Sequence, residues 1–355
     1  MSSNVDELTV VNSAVLITTL QTIEIPPYHL SSPIALAATK SAQQLRIVLV
    51  SSLFNPPPPT RYTGTSSSTD HGISRTGQWD EVQRLLTYVY VQTTKVAQEM
   101  GKILMDVDVL LQGTDSPVPQ FLQEDVPRVY RVSLLGGQRD DLPSSYARSL
   151  SHTVWLKPDP IYPHPPPHPI SIALHPSDPS LPPIFPVTAL GGTFDHLHAG
   201  HKILLSMAAW ITSEKLIIGV TDDILLQNKA NKHVLEPLSV RCERTRNFLA
   251  LFNPSITPDI VPITDVYGPT AWDPNIQALV VSRETLSGGK MIEKLRREKN
   301  LPSLKTFVID VISSEACIET EDPDILKKAK MSSTFIRQWI VEQQQHQDAN
   351  VQPQS

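Results

Sequence analysis

The sequence predicts an α/β protein whose parallel strands alternate with helices in two regions. From Phe185 onward, short apolar runs rich in β-branched residues alternate with stretches of helical spacing. A less regular version of this pattern occupies residues 1–156. A proline cluster lies between the two regions. Strands that alternate with helices form a parallel sheet that is covered on both faces.

These observations predict four segments. Residues 1–156 form a smaller α/β N-terminal domain, residues 157–186 a linker, residues 187–345 a second α/β domain, and residues 346–355 a disordered tail. With 355 residues, the chain is long enough for two domains with cores of ordinary size.

The first domain contains three recognisable elements. Leu45–Phe54 is predicted to be a buried strand, Trp79–Met100 a helix and Ile103–Leu111 a further strand. No group of catalytic side chains occurs among them, so the sequence assigns this domain no role.

The linker runs from Lys157 to Pro186 and reads "KPDPIYPHPPPHPISIALHPSDPSLPPIFP". Such a run favours polyproline II and cannot sustain a helix or a central strand, so a semi-rigid spacer is expected. Its three histidines could bind a metal, but exposed linker histidines are the simpler interpretation.

The second domain shows a regular alternation. Its predicted elements are a strand at Phe185–Leu190, a helix at His198–Thr212, a strand at Lys215–Thr221, a helix at Leu238–Phe252, strands at Asp259–Thr264 and Gln277–Ser282, a helix at Gly288–Asn300, a strand at Leu304–Ile312 and a helix at Ser332–Gln345. Ligands of such sheets bind at the carboxyl ends of the strands, so the turns that follow strands are the candidates for function.

Composition excludes several classes of protein. A formal charge of −6 and a pI near 6.0 argue against nucleic-acid binding, which normally needs a basic face. No apolar run approaches the length of a membrane span, so no membrane association is expected. The N-terminus resembles neither a secretory signal nor a transit peptide. Cys242 and Cys317 form no disulfide framework, which favours a cytoplasmic or nuclear location.

The turn after the first strand of the second domain is the main candidate site. It reads "GGTFDHLHAGH", Gly191 to His201. Gly191 and Gly192 let backbone N–H groups approach a ligand, and a helix that begins near His198 directs its N–H groups at an anion. His198 and His201 lie three residues apart, so they share a helix face. Imidazole donors at a helix N-terminus can stabilise the charge of a phosphoryl group in displacement.

Other interpretations of this stretch fit less well. A zinc site would use His196, His198 and His201, but it lacks a fourth ligand and the spacing of HExxH. The dinucleotide pattern GxGxxG and the P-loop pattern GxxxxGK[ST] are both absent. His196 is then expected to be a structural residue of the turn.

"GGTFDHLHAGH" resembles the T/HxGH signature of the nucleotidyltransferase superfamily. "KMSST", Lys330 to Thr334, resembles its KMSKS and ISSTxIR motifs and follows the first signature by roughly 130 residues. "LLQNKANKHVLEP", "RCERTRNFL", "VYGPT" and "VVSRETLSGG" are similar to the eukaryotic, fungal-type phosphopantetheine adenylyltransferases. The resemblance covers about Val187 to Ile340 and implies a Rossmann-like domain.

The resemblance implies a reaction between ATP and 4′-phosphopantetheine that yields dephospho-coenzyme A and pyrophosphate. The acceptor phosphate attacks the α-phosphorus directly, so the protein needs no covalent nucleophile. It supplies positioning and charge neutralisation. Mg²⁺ would bridge the ATP phosphates.

The same resemblance implies roles for individual residues. Thr193 would orient the acceptor phosphate, His201 would hydrogen-bond the α-phosphate, and His198 would lie beside the triphosphate. Lys229 or Lys232 would bind the acceptor phosphate; the sequence does not separate these two. Arg283 would contact the ATP phosphates. The nucleotide site would further include Gly191, Gly192, Phe194, Ser332, Ser333, Thr334 and Arg337.

Simpler roles stay open for several of these residues. Ser332 could be only a helix N-cap, and Lys229, Lys232 and Arg337 could be solvated surface charges. Bacterial relatives have a second arginine three residues after the first. Leu286 occupies that place here, so one phosphate contact is missing, and Lys290 is a candidate to replace it.

The expected protein is monofunctional, because no P-loop accompanies the domain. A separate dephospho-coenzyme A kinase, and other members of a coenzyme A-synthesising complex, would then be partners. Two alternatives remain: another adenylyl- or cytidylyltransferase of the superfamily, and a non-catalytic scaffold of such a complex.

Overall fold

A computed structural model describes residues 9–56, 74–124, 126–134, 138–151, 153–160, 180–309 and 331–351. The chain divides into two compact units, Met1–Pro183 and Ile184–Ser355. Each contains a parallel sheet of five strands among the described residues. The predicted α/β class is therefore confirmed, and the first sheet has as many strands as the second.

The first unit has the sheet order β3-β2-β1-β4-β5. Its central strands are apolar on both faces, as expected when helices cover a parallel sheet. Sequence analysis missed the first strand, the first and last helices and the last two strands of this unit. The elements are β1 (Val11–Thr19), α1 (Ser31–Lys40), β2 (Ser41–Ser51), α2 (Trp79–Glu99), β3 (Asp106–Gly113), β4 (Val129–Val132), α3 (Ser144–Ser149) and β5 (Thr153–Leu156).

The second unit has the order β10-β9-β6-β7-β8, so its first strand is central and the chain proceeds from it first to one edge and then to the other. This is a doubly wound sheet, and its order reverses between β6 and β9. The elements are β6 (Phe185–Gly192), α4 (Ala199–Trp210), β7 (Thr212–Thr221), α5 (Leu238–Phe252), β8 (Thr257–Ile263), β9 (Ala278–Ser282), α6 (Leu286–Glu298), β10 (Lys305–Ile309) and α7 (Ser333–Val351).

The core of the second unit explains why these segments form strands. Ala189, Ile217, Leu279 and Val281 lie on the central strands and pack with Ile292 of α6 in one buried cluster. Because both faces of these strands are covered, their sequences are continuous apolar runs.

Two predicted boundaries differ from the structure. The predicted linker extends to residue 186, but strand β6 begins at Phe185, as the strand prediction had it, and Phe185 packs edge-on against Phe307 of β10. Helix α7 continues to Val351, so it includes six residues that were assigned to a disordered tail. The linker residues 161–179, with their three histidines, lie outside the described residues. Among the residues described, no helix is both long and apolar enough to cross a membrane.

Candidate active site

The candidate site lies at the carboxyl ends of β6 and β9, where the strand order of the second sheet reverses. Gly191 and Gly192 are the last residues of β6. A Cβ atom on Gly192 would lie 3.0 Å from the ring of Phe194, so this glycine lets the following turn fold back onto the strand end. Ligands of doubly wound sheets bind at this position.

The turn from Thr193 to His198 has an unusual backbone. Phe194 and His196 both have positive φ, 52° and 44°. Residues other than glycine rarely adopt a positive φ. They keep this backbone conformation only where the surrounding structure holds them in it. Phe194 is held by its burial, since it is fully inaccessible to solvent. His196 is held by a hydrogen bond of 2.8 Å between its Nε2 and the carbonyl of Val234. His196 therefore has the structural role that the sequence predicted.

Helix α4 begins directly after this turn. His198 is its N-cap residue, and its Nδ1 accepts a hydrogen bond of 3.2 Å from the N–H of Gly200. A Cβ atom on Gly200 would lie 3.2 Å from the His198 ring, so Gly200 makes room for this imidazole. The positive end of the α4 dipole lies at this turn, which favours an anion there.

His201 packs against the N-cap residue. Its ring stacks on that of His198 at a centroid distance of 4.0 Å and contacts Phe194 at 5.3 Å. Its Nδ1 is buried and has no hydrogen-bond partner in the described structure. Burial lowers the pKa of His201 to about 4, against a smaller opposing effect of the Asp195 carboxylate. A proton on Nδ1 would lack an acceptor, so we infer a neutral ring that carries its proton on Nε2.

We expect His201 to remain neutral down to acidic pH. Its folded pKa lies below the ordinary value of 6.5, so its contribution to stability is complete above pH 6.5 and is lost as the pH falls towards about 4. NMR titration of labelled histidines would measure this pKa, with His201→Gln identifying the signal. A His201 signal that titrates near 6.5 would contradict the assignment.

Asp195 connects the turn to two other segments. Its carboxylate is fully buried, and Oδ1 accepts a hydrogen bond of 2.9 Å from the N–H of Glu236. Oδ2 accepts a hydrogen bond from Nη1 of Arg337 on α7. Its backbone carbonyl accepts one of 2.8 Å from the Ser333 hydroxyl. The start of α7 therefore lies against the first turn of the site.

The predicted phosphate-binding residues of α7 have distinct environments. Ser332 accepts a hydrogen bond of 3.3 Å from the N–H of Phe335 with its hydroxyl, so it does cap the helix. Ser333 bonds to Asp195, and Thr334 is exposed. The start of this helix lies against the turn at Asp195, because the Ser333 hydroxyl donates to the Asp195 carbonyl. Lys330 lies outside the described residues.

Arg337 differs from the prediction of a phosphate contact. It is only 2% exposed, and its guanidinium bonds to Asp195, to the carbonyl of Ala230 and to the hydroxyl of Thr334. Because its donors are directed at protein atoms, the structure gives Arg337 a different position from the one that the resemblance implied.

Lys229 and Lys232 lie in the loop that follows β7, and both are exposed. Lys232 donates to the side chain of Gln227, and the neighbouring Asn231 bonds to Gln338 of α7 at 2.8 Å. The loop is thereby attached to the helix that carries Ser332. Both lysines remain candidates for an acceptor phosphate.

Arg283 follows β9 at the same edge of the sheet. It is exposed and begins a 3-10 turn, Arg283–Thr285, before α6. Ser282 and Thr285 form a reciprocal capping box that fixes this turn. Leu286 and Lys290 follow on α6, where Lys290 is exposed.

Arg241 of α5 is a site residue that sequence analysis missed. It is fully buried, and its guanidinium donates to the carbonyls of Thr193, Thr221 and Glu236 at 2.7–3.0 Å. It also forms an ion pair with Asp223. An arginine within a helix is normally taken as a surface residue, and its main partners here are backbone atoms that carry no sequence signal.

One group of described residues has the composition of a metal site, namely Asp195, His196 and Glu236. Their oxygens are already occupied. Asp195 accepts from Arg337 and from a backbone N–H, while Glu236 accepts from the N–H of His196 and pairs with Arg244 at 3.1 Å. This group therefore stabilises the turn.

The fold and the site together define a doubly wound α/β domain in which the starts of α4 and α7 lie at the turn that follows the central strand β6. Residues 189–339 match the cytidylyltransferase-like family. A phosphopantetheine adenylyltransferase of Saccharomyces cerevisiae is 47% identical over 156 residues, which are 44% of this chain and 49% of that protein. An uncharacterized protein of Schizosaccharomyces pombe is 40% identical over 43% of this chain and 47% of its own length.

A phosphopantetheine adenylyltransferase of the archaeon Methanopyrus kandleri is 38% identical over 36% of this chain and 80% of its own length. The chain therefore belongs to the phosphopantetheine adenylyltransferases of the cytidylyltransferase-like family. It matches about half the length of each of the two fungal relatives.

Proposed function

We propose that the second unit transfers AMP from ATP to 4′-phosphopantetheine, with dephospho-coenzyme A and pyrophosphate as products. The observation that carries this proposal is the position of the His201 ring, stacked on His198 in the first turn of α4, in the turn at the switch point of the sheet that also contacts the start of α7. The relatives named phosphopantetheine adenylyltransferase support the choice of acceptor.

The chemical step is a single displacement at phosphorus. An oxygen of the acceptor phosphate forms a bond to the α-phosphorus, and the bond from that phosphorus to the bridging oxygen of pyrophosphate breaks. Pyrophosphate leaves with the electron pair of this bond. No proton has to be removed from the nucleophile, because the acceptor oxygen is already anionic.

The protein has to stabilise charge on the α-phosphate and align the reactants. His201 donates its Nε2 proton to an α-phosphate oxygen as a neutral ring, so it supports the transition state without titrating near neutral pH. The N-terminus of α4 adds its dipole, and Thr193 lies at the end of β6 to orient the acceptor phosphate.

Three further groups would hold the two substrates. We assign the N-terminus of α7, with Ser332, Ser333 and Thr334, and the exposed Arg283 to the β- and γ-phosphates of ATP. Lys229 and Lys232 would bind the acceptor phosphate. Arg337 is omitted from this assignment because it is buried and its Nε, Nη1 and Nη2 atoms each donate to a protein atom.

We propose that Mg²⁺ enters with ATP as part of the substrate. Among the described residues, the one cluster of suitable ligands has its oxygens committed to Arg337, Arg244 and backbone N–H groups. Mg²⁺ is often held mainly by substrate phosphates and water, so this arrangement needs no dedicated protein cage.

We expect the full-length protein to release pyrophosphate from ATP and Mg²⁺ only when 4′-phosphopantetheine is added. Release would be followed with a coupled phosphate assay, and nicotinamide mononucleotide, phosphocholine and glycerol 3-phosphate would serve as alternative acceptors. CTP in place of ATP tests the nucleotide. Activity with another acceptor and none with 4′-phosphopantetheine would refute the proposed substrate while retaining the reaction class.

A further inference from the structure

Arg337 is the residue whose position departs most from its expected role. Its guanidinium contacts two other segments and its own helix: Nε donates to the carbonyl of Ala230 at 2.9 Å, Nη1 to Asp195, and Nη2 to Thr334, one turn earlier on α7, at 3.3 Å. The side chain is nearly inaccessible to solvent. A phosphate could reach this guanidinium only if these contacts were broken.

The three segments carry the candidate substrate-binding groups. Asp195 lies in the turn between Thr193 and His198, and Ala230 lies in the loop between Lys229 and Lys232. Thr334 belongs to the start of α7, where Ser332 caps the helix. One planar guanidinium therefore joins the acceptor loop, the α-phosphate turn and the β,γ-phosphate helix.

The carboxylate of Asp195, the partner of Arg337, is also fully hydrogen-bonded within the protein. Both oxygens of Asp195 accept hydrogen bonds, from Arg337 and from the N–H of Glu236, and the carbonyl of Asp195 holds Ser333. The neighbours of Asp195 on both sides, Phe194 and His196, have positive φ. A turn of this kind keeps its shape only if its surroundings impose it, and the buried pair is part of those surroundings.

We propose that Arg337 and Asp195 are a pair of positioning residues that hold the three substrate-binding segments in register for adenylyl transfer. This inference rests on the proposed function. The pair touches no substrate; it fixes the distance between the groups that bind the acceptor phosphate, the α-phosphate and the pyrophosphate. Arginine is required because only its planar fork can direct donors at three segments together.

The test uses the full-length protein with Arg337→Lys, Asp195→Asn and the double variant. Lysine keeps the positive charge that a phosphate contact needs, but it lacks the planar, forked donor geometry of the guanidinium. We expect each single variant to lower kcat on the order of tenfold to a hundredfold, as misalignment does. The kcat of the double variant should be no lower than that of the single variants, because the pair acts as one unit.

The matched control is Arg297→Lys. Arg297 is an exposed arginine of α6, so this variant should keep wild-type kinetics.

Two further measurements separate positioning from misfolding and from failure of the proposed function. Calorimetry with ATP should give the wild-type stoichiometry, which shows that the variants are folded. Hydrogen exchange of the amides at 193–198 should accelerate in both single variants, and this readout needs no turnover. If the wild-type protein transfers no adenylyl group, the proposed function fails, and the exchange data still test the pair.

Other outcomes would overturn the inference. If Arg337 binds phosphate, Asp195→Asn should leave turnover intact and ATP affinity equal or tighter, because the arginine is released. Additive losses in the double variant, or unchanged exchange at 193–198, would also show that the two residues do not act as a positioning pair.

Discussion

Replacing His201 by alanine is expected to lower turnover about a hundredfold or more, the range found when a transition-state donor is removed. In the proposed mechanism, the His201 ring in the first turn of α4 is this donor. Stability should change little, because the buried Nδ1 makes no hydrogen bond that the substitution would break.

Two substitutions at His201 test which nitrogen acts. Glutamine places its amide near the position of Nε2, and asparagine places it near the position of Nδ1. We expect His201→Gln to retain more activity than His201→Asn, since Nε2 carries the proton of the neutral ring. Steady-state kinetics with ATP and 4′-phosphopantetheine measure this, and unfolding curves check that each variant is folded. A wild-type rate in His201→Ala would remove this residue from the mechanism.

The second large effect is expected for Arg241→Ala, on the stability of the second unit. The guanidinium is fully buried and satisfies three backbone carbonyls, at Thr193, Thr221 and Glu236. Removing it leaves these acceptors unpaired and opens a cavity, so we expect a loss of about 3–5 kcal/mol in the free energy of unfolding. Arg241→Lys should restore only part of this stability, because one ammonium group cannot reach three divergent carbonyls.

The matched control is Arg244→Ala on the same helix. The Arg244 side chain is 56% exposed and pairs with Glu236, so its removal should cost about 1 kcal/mol or less. Urea unfolding of the full chain, with hydrogen exchange of the β6 and β7 segments, measures both variants. Equal losses for Arg241→Ala and Arg244→Ala would show that the buried contacts do not hold the strand ends.

The regular part of the fold could be read from the sequence because it depends on local patterns. The helix Leu238–Phe252 has the predicted bounds, and the strands β7 and β9 begin within three residues of the predicted positions. These strands are buried on both faces, which makes them continuous apolar runs. In the first unit, β1 was missed although it contains a buried apolar run of the same kind, Ala14–Ile17. Helix α1 was missed as well, and in the structure it packs against α2.

The candidate site likewise contains residues that the sequence could place and residues that it could not. His198, His201 and Gly200 lie in one short stretch, so their spacing alone places them at a helix start. Asp195 and Arg337 are 142 residues apart, and nothing in the spacing of either indicates that they pair. Arg337 was therefore assigned to substrate from its motif, whereas its geometry assigns it to the protein.

The sequence by itself determined the α/β class, the family resemblance and the glycine-rich turn before α4, because each depends on residues that are neighbours in the chain. Only the tertiary structure decided the lowered pKa of His201 and the partners of Asp195, Arg241 and Arg337. The pKa of a buried ring depends on desolvation, and the partners of a buried arginine depend on which carbonyls and carboxylates the fold brings to it.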